Sequence, residues 1–152
     1  MIIKIPIKSH VKKYLIARYG NQHTITKNTL LGLLVHDHLS KNYTKTPQKL
    51  DCHVYYEVHL TDWCFKNVGH SIDIATLVTL GNALAMLFRE DLHQYVRTQL
   101  LKQQKATDAI KEFLKNYEIT EDELKFETVY KDYKRKHDSI KADKHKKSLI
   151  NP

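Results

Sequence analysis

Residues 53–60 read HVYYEVHL, and their side chains alternate between two faces. Val54, Tyr56, Val58 and Leu60 form an apolar face, while two histidines, a tyrosine and a glutamate form the other. A period of two residues is typical of a strand with one buried and one solvated face. Strands of this kind belong mainly to antiparallel sheets. The stretch therefore predicts one strand of a small antiparallel sheet.

A partner for this strand lies near the start of the chain. The segment IIKIPI, which begins at residue 2, also alternates after Ile2. Because Pro6 cannot donate a ladder hydrogen bond, its strand should lie at a sheet edge or end there. We expect residues 2–6 to pair with residues 53–60. The segment WCFKN, which begins at Trp63, is a candidate for a third short strand.

Helical patterns fill most of the remaining chain. A helix is expected over residues 10–19, capped by Ser9 and ended by Gly20. A polar loop follows, and then a second apolar stripe at helical spacing, formed by Leu30, Leu31, Leu34, Val35 and His38. Thr26 or Asn28 would cap this second helix.

The longest helical pattern begins after Ser71 and runs to about Gln104. Its apolar positions widen near the middle, which indicates that several elements pack around it. Gly81 and Asn82 are expected to kink it or divide it in two. Together the patterns predict an α+β fold that is mainly helical, with a two- or three-stranded antiparallel sheet and a long central helix. Neither Leu87 nor Phe88 should be exposed to solvent in a monomer that packs in this way.

The C-terminal segment NYEITEDELKFETVYKDYKRKH, residues 116–137, contains a clear capping signal. Thr120 and Glu123 have the spacing of a capping box, which predicts that a helix starts at Thr120. With the apolar helical pattern before it, this gives a helical hairpin over residues 106–137. We expect a single globular domain over residues 1–137 and a basic tail over residues 138–152.

The hairpin resembles a helix-turn-helix in its spacing, with a three-residue turn between the helices. A recognition helix normally offers its N-terminal residues to base edges. Here those residues are Glu121, Asp122 and Glu123, which would repel phosphates. The pattern is therefore also consistent with a structural hairpin that does not read a DNA sequence, and both interpretations stay open.

Net charge points to a polyanionic partner, since the chain carries +8 at a pI of about 9.4. Residues 1–50 contain nine Lys or Arg against one acid, residues 51–100 three against six, and residues 101–152 thirteen against ten. Tyr14, Tyr19 and Tyr43 interleave with the first group and could stack on bases. The side chains expected to contact phosphates are Lys8, Lys12, Lys13, Arg18, Lys45, Lys131, Lys134, Arg135 and Lys136.

Several function classes lack their motifs. With four glycines, neither a dinucleotide-binding nor a Walker loop can be assembled, and no GxSxG or HExxH occurs. The histidines fit no common metal template, so we expect no metal, no cofactor and no enzymatic activity. Two cysteines are too few for a disulfide framework. The opening residues lack the apolar core of a signal peptide, and the 17-residue apolar segment from residue 72 is short for a membrane helix.

The segments IIKIPIKSHVKKYLIARYG and FLKNYEITEDELKFETVYKDYKRK resemble small accessory proteins of bacterial phages and mobile elements. The resemblance covers the two ends of the chain better than its middle. It implies an accessory role in the cytoplasm of a bacterial host and transfers no site residue.

Binding to nucleic acid, with DNA favoured over RNA, is the function that the sequence favours. Contacts would be made mainly to phosphates and without a strong sequence code. The alternative is a protein-interaction or assembly role without nucleic acid, in which the basic surface meets an acidic protein or a second copy of the chain.

Overall fold

The computed structural model describes residues 1–40, 54–68 and 72–150, and for residues 68 and 142–150 it describes the backbone alone. The strands are β1 (Ile2–Ile7), β2 (Gln22–Ile25) and β3 (Val54–Leu60). The helices are α1 (Ser9–Tyr19), α2 (Leu30–Leu39), α3 (Asp62–Val68), α4 (Ile74–Leu101), α5 (Ala106–Asn116) and α6 (Phe126–Ile150). The expected fold class, α+β with a long central helix, is confirmed.

The chain forms two compact units, Met1–Glu90 and Asp91–Pro152, and helix α4 contributes residues to both. The first contains the sheet, α1, α2 and α3, and the second contains α5 and α6. Helix α6 continues beyond residue 137 to Ile150, so part of the expected basic tail is helical. The prediction of one domain ending at residue 137 stays a prediction.

The sheet has the order β1-β3-β2. Strand β1 pairs with β3 in antiparallel fashion, with Ile3 opposite Val58, as the sequence predicts. Pro6 lies on an edge strand, which was also expected. The prediction of a purely antiparallel sheet was wrong, however, because β2 runs parallel to β3 and makes the sheet mixed. Strand β2 comes from the expected polar loop, where Ile25 is the one buried residue of the four.

The expected third strand at WCFKN was also wrong, since these residues lie in helix α3. The Thr61 hydroxyl accepts a hydrogen bond from the Cys64 backbone N–H at 3.3 Å and so caps the first turn. Cys64 is fully buried, whereas Trp63 is 41% exposed. A short apolar run without alternation does not distinguish a strand from a buried helical turn.

Helix α2 is capped by a residue later in the chain than either expected cap. The Thr29 side chain, not that of Thr26 or Asn28, accepts a hydrogen bond from the Gly32 N–H at 3.0 Å. An added Cβ at Gly32 would meet the Thr26 carbonyl oxygen at 1.9 Å. The helix start is therefore packed tightly against the segment before it, and the position requires glycine.

Asp73 marks the start of helix α4, where its Oδ1 accepts a hydrogen bond from the Thr76 N–H at 2.7 Å. The expected cap, Ser71, lies outside the described residues. The helix is continuous through Gly81, so it is not divided in two there, and the alternative expectation of a kink stays a prediction. An added Cβ at Gly81 would lie 2.1 Å from the Pro6 carbonyl oxygen. This glycine therefore permits the helix to approach edge strand β1 closely.

The capping box after α5 closes an isolated turn rather than a helix. The Thr120 N–H donates to Glu123 Oε2 at 3.0 Å, as a capping box requires. Residues 121–124 are nevertheless in turns, and α6 begins at Phe126, whose N–H donates to Glu121 Oε1 at 3.1 Å. The predicted helix start at Thr120 and the three-residue turn were therefore wrong. The hairpin has a longer connection, residues 117–125.

Helices α4 and α5 end in the same way. The Glu118 N–H donates to the Lys115 carbonyl and the Ile119 N–H to that of Leu114, which is the Schellman pattern. Gln103 and the residue after it repeat the pattern at the end of α4. In each motif the residue just past the cap has a positive φ, 53° at Glu118 and 64° at Gln103. Both positions are ones where glycine is favoured.

Replacing Glu118 by glycine is expected to raise the free energy of unfolding by about 1 kcal/mol, because it removes the cost of the left-handed conformation. Gln103→Gly should act in the same direction. Urea denaturation followed by far-UV circular dichroism measures the change. The matched control is Lys115→Gly, in the last turn of α5, which should lose about 1 kcal/mol. Equal losses for Glu118→Gly and Lys115→Gly would contradict the strained φ.

Candidate nucleic-acid interface

Four basic side chains follow one face of helix α6. Lys131, Lys134, Arg135 and Lys141 are exposed, and in the described part of the chain none has a carboxylate within 4.0 Å. They lie on one face because the opposite side of the helix carries buried Val129 and Tyr133. At 1.5 Å per residue they cover about 15 Å along the helix axis. We call these four residues the outer basic face.

Asp138 shares this stretch of α6 and partly reduces its charge. Its Oδ1 lies 3.9 Å from His137 Nδ1. Lys136, which was expected to join the same interface, is half-buried and lines a cleft with Arg97 instead. Three of the four predicted α6 residues therefore lie on the outer basic face, and the fourth, Lys136, lies on another side of the helix.

The predicted residues Lys12, Lys13 and Arg18 do not share one face of α1. Lys8 is exposed, and Lys12 and Lys13 are half-buried on α1. Arg18 donates to the Tyr14 hydroxyl at 3.4 Å and lies 5.9 Å from the Tyr14 ring centre. Successive helical positions are turned by about 100°, which places Arg18 away from the other α1 cations. Lys45 lies outside the described residues.

Glu57, an acid from the middle of the chain, lies beside basic residues of the first fifty positions. Because β3 lies between β1 and β2, Glu57 comes within 3.4 Å of Lys4 and 3.2 Å of the Gln22 side-chain amide. The hydrogen bond from Gln22, followed by that from Lys4, lowers the pKa of the Glu57 carboxyl, and the charge of Lys12 acts in the same direction. The basic character of residues 1–50 is therefore partly offset in the folded protein.

Of the tyrosines expected to stack on bases, Tyr14 is buried and is not available to do so. Tyr14 is fully buried and packs edge-on against Phe88, with ring centres 5.4 Å apart, so its predicted role was wrong. Tyr19 is half-buried and meets the His23 ring at 5.3 Å. Tyr43 lies outside the described residues. Tyr14 follows the apolar stripe of α1, which is the signal for a core position.

One aromatic group that the sequence did not single out is partly exposed near a cation. The Lys27 ammonium nitrogen lies 3.8 Å from the centre of the Trp63 ring, and the His36 ring is stacked on that ring at 5.2 Å. Interactions of this kind hold a cation over an indole face. The signal that could have located it is a single tryptophan in a segment of mixed polarity.

Two acids of the connection before α6, Glu121 and Glu123, are held by local hydrogen bonds. Glu121 and Glu123 accept from backbone N–H groups of the connection and the first helical turn. They place negative charge where a recognition helix would meet phosphates. This arrangement fits the structural interpretation of the hairpin better than a sequence-reading one.

Within the described ranges, no group of three or more His, Cys, Asp or Glu residues is placed to hold a metal ion. In the same residues, no helix is both long enough and apolar enough to cross a membrane. Comparisons of the chain with protein families, with curated proteins and with solved structures found no match.

Proposed function

We propose that the protein binds nucleic acid through phosphates, with the outer basic face of α6 as the main contact. The observation that carries this proposal is the placement of four exposed cations within about 15 Å on one helix. Exposed Lys and Arg side chains neutralise phosphates and release the counterions that surround a nucleic acid. The net charge of +8 adds a long-range attraction.

Binding of this kind would have little sequence preference. Phosphate contacts fix position and orientation, whereas base contacts carry the sequence information. The acids of the connection before α6 oppose insertion of that end into a groove. DNA is favoured over RNA as the partner. The resemblance of the two end segments to phage and mobile-element proteins implies an accessory role in the cytoplasm of a bacterial host.

The double substitution Lys134→Glu with Arg135→Glu is expected to lower affinity for unrelated duplexes by about 10- to 100-fold at low salt. The slope of log K against log salt should become shallower by about 1.8, because each lost duplex phosphate contact removes about 0.9. Fluorescence anisotropy on two unrelated duplexes and a single strand, over a salt series, measures both quantities.

The matched control is Lys102→Glu with Lys105→Glu, which changes net charge equally at two exposed sites off α6. Its effect should be several-fold smaller. Lys12→Glu with Lys13→Glu should also have the smaller effect, since Glu57 already offsets Lys12. If both controls matched the α6 pair, net charge rather than a defined surface would explain the binding.

The alternative is an interaction role without nucleic acid. Helix α2 exposes Leu30 and Leu33, one turn apart, to 58% and 52%. Apolar side chains of this size are covered when a second copy or another protein binds. The absence of binding even at low salt, together with a stable oligomer by light scattering, would favour this alternative over the nucleic-acid proposal.

A further inference from the structure

A groove lies in the second unit between helix α5, the connection after it and the first turn of α6. Its volume is about 650 Å³, and most of it is open to solvent. Pockets for small molecules have similar volumes, but they enclose most of the ligand surface. A groove that stays open instead fits a peptide segment, which buries one side and leaves the other in water.

Apolar side chains form the floor of this groove. Leu114 and Ile119 are 7% and 8% exposed, and Phe126 is half-buried at the first turn of α6. The part of the lining that solvent reaches is mainly apolar, with a smaller polar part. An apolar side chain of a partner that packs on Phe126 would be removed from water, which favours binding. The polar part of the lining then decides which segment fits.

Two lysines of α5 belong to the polar part of the lining. Lys111 and Lys115 are one helical turn apart and share a face of α5 with Leu114. Both are exposed, and in the described part of the chain neither has a carboxylate within 4.0 Å. The Lys111 ammonium nitrogen lies 5.4 Å from the centre of the Phe126 ring. An acidic group of a bound segment would therefore meet two cations beside the apolar floor.

The connection between α5 and α6 supplies acids to the same lining. Glu118 and Glu121 are exposed there, and both carboxylate oxygens of Glu121 accept a hydrogen bond from the Phe126 N–H, at 3.1 and 3.2 Å. The Thr120 N–H and hydroxyl both donate to Glu123 Oε2, at 3.0 and 3.2 Å, so these donors are already used. The charge of the groove is therefore divided, with cations on α5 and carboxylates on the connection.

We propose that this groove binds a peptide segment of another protein in which an apolar side chain lies between an acidic and a basic residue. The apolar side chain packs on Phe126, the acid lies at the two lysines, and the base lies near Glu121. Complementary charges fix the register and direction of a bound segment. A nucleic-acid backbone is repelled by the carboxylates of the connection, so it fits this groove less well. No residue of the outer basic face lines the groove.

The test is a selection of random peptides displayed on phage against the whole chain, followed by fluorescence anisotropy with the enriched peptides. These peptides should carry an acid and a base on the two sides of an apolar residue. Lys111→Glu with Lys115→Glu should weaken their binding by about 10-fold or more. Phe126→Ala should weaken it several-fold. Glu121→Gln keeps the acceptor for the Phe126 N–H, and it should abolish the preference for the basic residue.

The matched control is Lys102→Glu with Lys105→Glu, which makes the same change in net charge at exposed sites outside the groove and should leave peptide binding unchanged. Circular dichroism checks that each variant is folded, and Lys111→Gln with Lys115→Gln replaces the charge reversal if that variant unfolds. Enrichment of no peptide, enrichment of peptides without an acid, or equal losses in the two double variants would overturn the proposal.

The peptide measurements contain no nucleic acid, so the groove and the outer basic face are tested independently. A failure of duplex binding, with peptide binding intact, contradicts the proposed function alone. A failure of the peptide selection, with duplex binding intact, contradicts the groove alone.

Discussion

The Phe88→Ala variant is expected to lose about 4 kcal/mol of unfolding free energy, the largest loss that we expect from a single substitution in this chain. Phe88 is 2% exposed, and its ring lies 5.3 Å from that of His10 and 5.4 Å from that of Tyr14. Alanine would remove both ring contacts and leave a cavity between α1 and α4. Urea denaturation followed by Trp63 fluorescence reports on the first unit, since the chain has one tryptophan.

Met86→Ala is the matched control because Met86 lies on the same helix and is 61% exposed. Its unfolding free energy should stay within about 0.5 kcal/mol of the wild-type value. A loss below about 1.5 kcal/mol for Phe88→Ala would contradict the packing of α4 against α1. It would also remove the reason for assigning Tyr14 to the core.

The Gly81→Ala variant is expected to lose about 3 kcal/mol of unfolding free energy. A methyl group at this position would lie 2.1 Å from the Pro6 carbonyl oxygen, so either α4 or strand β1 must move. Alanine also favours helix by about 1 kcal/mol relative to glycine, and the expected loss already includes that gain. The same fluorescence measurement gives the value.

The Asn82→Ala variant is the control that separates the effect of the close approach to Pro6 from the effect of helix propensity. Asn82 is the next residue of α4 and is exposed, so alanine should leave stability unchanged or raise it by a few tenths of a kcal/mol. Stabilisation by Gly81→Ala would mean that α4 does not approach edge strand β1 as closely as the structure has it.

The sequence predicts those parts of the fold that have a local signal. Strands β1 and β3 alternate over six and seven residues, and their antiparallel pairing was expected. Strand β2 has four residues and one buried side chain, Ile25, so alternation cannot identify it. Its parallel pairing depends on β3, which lies much further along the chain. The helix start at Thr120 failed because a capping box also stabilises an isolated turn.

The charged contacts of the candidate site also differ in whether the sequence could predict them. The outer basic face follows from i, i+3 and i+4 spacing on one helix, which a sequence displays directly. The contact between Lys4 and Glu57 depends on strand order, and the contact between His93 and Asp132 depends on which faces of α4 and α6 meet. Charge counted along the chain cannot reveal either arrangement, because each brings together residues from separate segments.

The position of β3 between β1 and β2 also determines when the sheet can form. Ile3 pairs with Val58 and Ile25 with Leu60, so both strand pairings join distant parts of the chain. Distant pairings slow folding, since loop-closure entropy is lost before any contact forms. During synthesis on the ribosome, the backbone edge of β1 that pairs with β3 stays unpaired until residue 60 has emerged. Early binding by a chaperone would protect the nascent chain during that interval.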